Sequence, residues 1–216
     1  MKERPILFSA PMVRALLAGT KTQTRRVVKM KPHHQIEERD DGTPWPWMHD
    51  GERNADSWLA CPYGQPGDRL WVRETWQGPL LQEFEIDADP DWHYASHLHQ
   101  YQNPEHCEYA ADGGPKPEYT DADDVMRQGW RPSIHMPRWA SRITLEVTGV
   151  RVERLQGISE ADAIAEGVRN SLHLPGGRFA RENFEHLWWT INGDGSWESN
   201  PWVWVIEFKR VEGGAQ

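Results

Sequence analysis

Trp202-Val203-Trp204-Val205-Ile206-Glu207-Phe208 is apolar on both alternating sides. A strand of that kind loses water from both faces, so it belongs in the middle of a sheet rather than at its edge. Shorter runs supply its companions: Ile6-Leu7-Phe8, Val27-Val28, Ile143 to Val147 and Val150 to Leu155. In Arg69 to Trp76, Leu70, Val72 and Glu74 alternate with Trp71, Arg73 and Thr75, the period of a half-buried strand. Three helices accompany them. Pro11 to Ala18 carries Met12, Leu16 and Leu17 on one face and stops at Gly19. Ser159 caps a second that runs to Gly167, and Arg181 to Trp189 forms a third. Without a βαβ rhythm, these elements predict an α+β protein on a curved or barrel-like sheet. No repeat and no linker divides the 216 residues, so a single domain is expected.

Two stretches interrupt this pattern. Residues 30–66 are rich in Pro, Gly, Asp and His and read as a long irregular excursion that ends in turn chemistry at Cys61 to Asp68. Residues 77–130 read as an acidic insertion, with a short strand near Tyr109-Ala110-Ala111. Charge is divided accordingly. Residues 1–32 hold eight basic groups against Glu3, whereas residues 81–125 hold twelve acids against Lys116. The net charge of −9 excludes a protein that coats nucleic acid through a basic surface alone. The insertion is read as a solvated segment or, alternatively, as a cover over the basic face.

Thirteen tryptophans exceed what ordinary usage supplies; most serve as core, and a few are candidates to stack on a flat ring. Two cysteines make no disulfide framework. His93, His97, His99, His106 and Cys107 form the one place to look for a metal, but their spacing fits no ligand set, so neither metal nor cofactor is expected. No apolar run reaches membrane-spanning length and none resembles a secretory leader, which predicts a cytoplasmic protein with no membrane partner.

The chemistry concentrates in Gly19-Thr20-Lys21-Thr22-Gln23-Thr24-Arg25-Arg26. One ammonium, two guanidinium groups and three hydroxyls follow a helix end, an arrangement that a packed core does not need. Glu74 is the second unusual position, because it shares the inward face of its strand with Leu70 and Val72. A carboxylate there is costly to bury unpaired. It requires a cation, with Arg25, Arg26 and Arg73 the candidates, or a catalytic task.

The Gly19 to Arg26 element, the Pro66-Gly67-Asp68 turn into Leu70 to Glu74, the Ile158-Ser159-Glu160-Ala161 helix start and the terminal strand together resemble the ASCH domain family. Cys61-Pro62-Tyr63-Gly64 and Arg138 to Arg142 look like its longer phage and prophage members. The resemblance covers about half the chain. It implies a PUA-like mixed β-barrel with flanking helices, here carrying insertions at about 30–60 and 77–130. One bacterial branch of that family hydrolyses the amide of N4-acetylcytidine with a Lys, a Thr and a Glu, which the resemblance places on Lys21, Thr24 and Glu74. Arg25, Arg26, Arg73, Trp76 and Trp139 then become candidates to bind a modified nucleoside or nucleobase. Two other functions are compatible with the resemblance: a PUA-like protein that binds RNA or another single-stranded nucleic acid without chemistry, and a ribonuclease.

Overall fold

The computed structural model describes residues 1–50, 55–81, 98–121, 125–172 and 176–211. In chain order these hold strand β1 (Glu3–Leu7), helix α1 (Ala10–Leu17), β2 (Gln23–Val27), β3 (His34–Glu38), β4 (Pro44–Asp50), β5 (Ala55–Trp58), β6 (Arg69–Arg73) and β7 (Trp76–Gln77). Then follow β8 (Glu108–Tyr109), β9 (Glu118–Thr120), β10 (Met126–Gln128), β11 (Thr144–Arg154), α2 (Glu160–Ala165), α3 (Ala180–Asn192) and β12 (Trp202–Arg210). The protein is therefore mixed α and β with a predominance of sheet, and no sheet among the described residues closes into a barrel.

Two compact units emerge. One comprises Met1–Lys2, Ala15–Arg69 and Glu146–Arg210, and the other Glu3–Arg14, Leu70–Leu145 and the residues from Val211. Each is assembled from separated segments, so no linker in the sequence marks the division.

In the first unit, β12 lies between β11 and β2. Its pairing with β2 is antiparallel, with Val203 opposite Val27, Val205 opposite Arg25 and Glu207 opposite Gln23. Val203 to Ile206 are all buried, as a two-sided strand requires. Val203 and Val205 pack with Leu155, Ile158, Ala163, Phe184 and Trp188 into the core beneath α2 and α3. Alternation sends Trp204 to the opposite face, where its ring meets Trp45 edge-on at 5.0 Å. The helices are set by their first turns. The Ser159 hydroxyl accepts from the Asp162 N–H, completing a capping box. The Glu160 carboxylate accepts from the N–H groups of Ala180 and Arg181, so α2 caps α3.

Two expectations for this unit are corrected. The stretch expected to be irregular contains the antiparallel sheet β3-β4-β5, with Ile36 opposite Pro46 and Trp47 opposite Trp58. Pro44 and Pro46 hid it, because proline argues against a central strand; Pro46 still uses its carbonyl, which accepts from the Leu59 N–H at 2.8 Å. The two short strands expected at Ile143–Val147 and Val150–Leu155 are one, β11. Gly149 does not break it, since a Cβ there would lie 2.7 Å from a carboxylate oxygen of Glu207. The missing side chain makes room for an acid.

In the second unit β1 adjoins β6, β7 pairs with β8, and β9 with β10. Trp76, Tyr109, Met136 and Ala140 form its buried cluster, against which Cys107 and Trp139 pack. The strand expected near Tyr109 is Glu108–Tyr109, and Ala110–Asp112 continues as a 3₁₀ turn. Much of the acidic insertion, including 82–97 with His93 and His97, lies outside the described residues. No helix among those described is long and apolar enough to cross a membrane.

Candidate functional site

Helix α1 ends as its sequence dictates. Gly19 takes φ +69° and its N–H donates to the Leu16 carbonyl, turning the chain toward β2. Lys21 then pairs with Glu166 in an isolated bridge, and the Thr22 N–H donates to the Ala165 carbonyl. This backbone contact aims the lysine inward. Lys21 is 3% exposed, and its Nζ donates to the Glu166 Oε2 at 2.8 Å, the Glu166 carbonyl at 2.9 Å and the Gln23 carbonyl at 2.8 Å. Burial holds its pKa below the ordinary lysine value, and Glu166 opposes that shift.

The carboxylate that the structure brings to Lys21 is thus Glu166, a residue that the sequence reading did not single out. Its signal was present but ambiguous. Glu166 immediately follows α2, where an acid facing the helix's negative end is disfavoured unless a cation meets it. Two cations do, because Arg25 Nη1 also donates to Glu166 Oε1 at 3.3 Å. Arg25 Nη2 lies 3.1 Å from Glu153 Oε2 and 3.5 Å from Asp162 Oδ2. Gln23 Nε2 donates to Asp162 Oδ1 at 3.0 Å.

Asp162 titrates at about 2. Burial pushes its pKa upward, but hydrogen bonds from Ser159 and Gln23 and the charge of Arg25 outweigh it. Arg151 closes the network, donating to Glu153, Glu207 and Asp162. Basic and acidic side chains alternate through it, so every buried charge is met by its opposite.

Thr24 is 1% exposed and pairs with Ile206. Alternation places it and Arg26 on the face of β2 opposite Gln23 and Arg25. Burial lowers the pKa of Arg26, whereas the nearby Tyr63 and Glu166 raise it.

Gly167 is shaped around the lysine. It has φ +88°, and a Cβ on it would lie 2.8 Å from the Ala15 Cβ and 3.1 Å from the Lys21 Cβ. Gly167→Ala is therefore expected to destabilise the protein by about 1–3 kcal/mol, through left-handed strain and the collision together. Thermal melts compared with Gly157→Ala, where nothing lies within 4 Å, check this. Equal melting temperatures would contradict it.

Glu74, Arg73, Trp76 and Trp139 belong to the second unit. Glu74 is 1% exposed and its cation is none of Arg25, Arg26 and Arg73. Arg142 grips it with two bonds, Nε to Oε1 at 3.0 Å and Nη2 to Oε2 at 3.1 Å. The same guanidinium binds both oxygens of Asp112 and lies 3.9 Å over the Tyr109 ring. Burial raises the pKa of Glu74, and Arg142 lowers it. Arg73 donates to the Ile134 carbonyl and lies 5.5 Å over Trp71. Trp76 is 1% exposed and meets Trp139 edge-on at 5.4 Å; it is core, with no open face for a ligand ring.

Among the described residues no group of three or more His, Cys, Asp or Glu side chains is arranged to hold a metal. No family model, curated protein or solved structure matches the chain.

Proposed function

We propose that the protein is an amidohydrolase acting on an acylated nucleobase or nucleoside, with N4-acetylcytidine as the reference substrate, and that Lys21, held by Glu166, is its proton-transfer group. One observation carries this reading: a desolvated ammonium held at 2.8 Å from a buried carboxylate, in the same eight-residue segment as a buried threonine and two arginines. Glu166 takes the part that the family resemblance assigned to Glu74.

Amide hydrolysis needs a nucleophile, a group that accepts and returns its proton, and a donor for the oxyanion. Burial makes the neutral amine of Lys21 accessible at lower pH than in a free lysine. Lys21 takes the proton as water adds to the acyl carbon. Collapse of the tetrahedral intermediate breaks the C–N bond, and Lys21 returns the proton to the leaving exocyclic amine. The products are the carboxylic acid and the unmodified base. Glu166 holds Lys21 in place in both protonation states, and Arg26 donates to the oxyanion.

Incubation with N4-acetylcytidine is expected to yield cytidine, resolved by chromatography. The rate should rise with pH on a limb centred below 10.5, the free-lysine value, and Lys21→Arg should abolish it. A folded protein that releases no cytidine overturns the proposal.

A further inference from the structure

The turn and strand that the sequence hid behind its prolines shape one wall of a cavity of about 540 Å³ in the first unit, and β11 and Trp202 shape the other. Its walls are built from indoles covered by guanidinium groups. The Arg39 Cζ sits 3.5 Å above the Trp45 ring and 5.5 Å from Trp58, and the Arg154 Cζ sits 4.4 Å above Trp202. Trp45 is held from behind, its Nε1 donating to the Leu59 carbonyl at 2.8 Å and its ring packed on Trp204. The stack is therefore fixed before any ligand arrives.

The cavity's acids are already engaged. Asp41 accepts from the Thr43 N–H and hydroxyl at 2.9 and 2.5 Å, and Glu153 is bound by Arg25 and Arg151. Arg39 feels the nearby Asp41 charge, but no hydrogen-bond partner for its guanidinium is found among the described residues. Arg154 spends one donor on the Asn200 carbonyl and remains exposed. A guanidinium seated over an indole can offer its outer face to a second flat ring and its remaining N–H donors to an oxyanion. The volume lies within the usual range for small-ligand sites, about 300–1,000 Å³.

We propose that this cavity is a nucleoside-monophosphate site, in which the base stacks on a guanidinium-covered indole and Arg39 and Arg154 bind the phosphate. Its ligand is a mononucleotide, either free or as one unit of a single strand. The site is distinct from Lys21, and its occupancy needs no hydrolysis.

Isothermal titration of the full-length protein with cytidine, cytidine monophosphate, inorganic phosphate and a four-residue single-stranded oligocytidylate tests this. The monophosphate is expected to bind about tenfold more tightly than cytidine, a preference that shrinks as salt rises. Arg39→Ala and Arg154→Ala should each move the ratio toward one. If Arg39→Ala fails to fold by circular dichroism, Arg154→Ala, at an exposed position, and Arg39→Lys, which keeps charge but not the fork, carry the same comparison. An oligonucleotide that binds more tightly than the mononucleotide identifies a polymer as the source of the ligand, and equal affinities identify the free nucleotide. Equal binding of cytidine and its monophosphate by the wild type overturns the proposal, as does a ratio unchanged in Arg154→Ala. These are binding measurements, so their failure is distinguishable from a failure of hydrolysis at Lys21.

Discussion

Glu166→Ala is expected to lower the unfolding free energy by about 3–5 kcal/mol, the usual cost of removing one partner from a buried ion pair. The side chains of Lys21 and Arg25 are both 0% exposed, and Glu166 is 3% exposed. Without the carboxylate, Lys21 retains carbonyl acceptors but loses its counter-charge, whereas Arg25 retains Glu153 and Asp162. The lysine therefore bears most of the loss. Glu166→Gln keeps an acceptor oxygen and should cost less. A Lys21→Met/Glu166→Gln double variant should cost less than the sum of the two single changes, because it leaves no unmatched ammonium. Denaturant unfolding measures all four. If Glu166→Ala unfolds within about 1 kcal/mol of wild type, the pair contributes no more than a surface bridge. Activity separates the structural role from the chemical one. Glu166→Gln, where folded, should form cytidine about 100-fold more slowly or worse, because Lys21 loses the carboxylate that positions it for proton transfer.

Arg142→Ala should be comparably damaging, at about 3–5 kcal/mol, for a different carboxylate. Glu74 would remain buried, its backbone N–H on the Met136 sulfur, with its cation removed. The pH dependence identifies the cause. Glu74 already has a folded-state pKa raised above the ordinary 4.5, and loss of Arg142 raises it further. The native state then binds more protons than the unfolded state between those two values, so stability falls as pH rises through that window. The deficit of Arg142→Ala should thus be smallest near pH 4 and largest at neutral pH. Glu74→Gln in the Arg142→Ala background should recover much of it and flatten the profile. A deficit that does not change with pH would mean that the lost cation–π packing on Tyr109 dominates instead.

Comparison of these two carboxylates shows what could be read in advance. Glu74 was conspicuous because a strand's period of two is local: Leu70 and Val72 on the same face announce that position 74 is buried. Its partner was not, since Arg142 lies 68 residues away and nothing local distinguishes it from Arg25 or Arg26. Glu166 stood out less. It follows a helix of six residues, where burial depends on which strand passes beneath, and Lys21 lies 145 residues away.

The same division holds for the fold. Continuous apolarity determined that Trp202 to Phe208 is buried on both faces, and Ser159 with Asp162 determined where α2 begins. Gly19 determined where α1 ends. Each depends on neighbours a few residues apart, whose geometry the backbone fixes. The sequence also placed Lys21, Thr24 and the two arginines in one segment. Only the tertiary structure decided that β11 runs unbroken past Gly149, because the space there is claimed by Glu207. It alone decided that proline-bearing β4 lies inside a sheet and turns Trp45 under Arg39, and that Lys21 meets Glu166. These outcomes depend on which distant groups share a buried volume. A buried charge must find its opposite, but the chain's local pattern does not say which one.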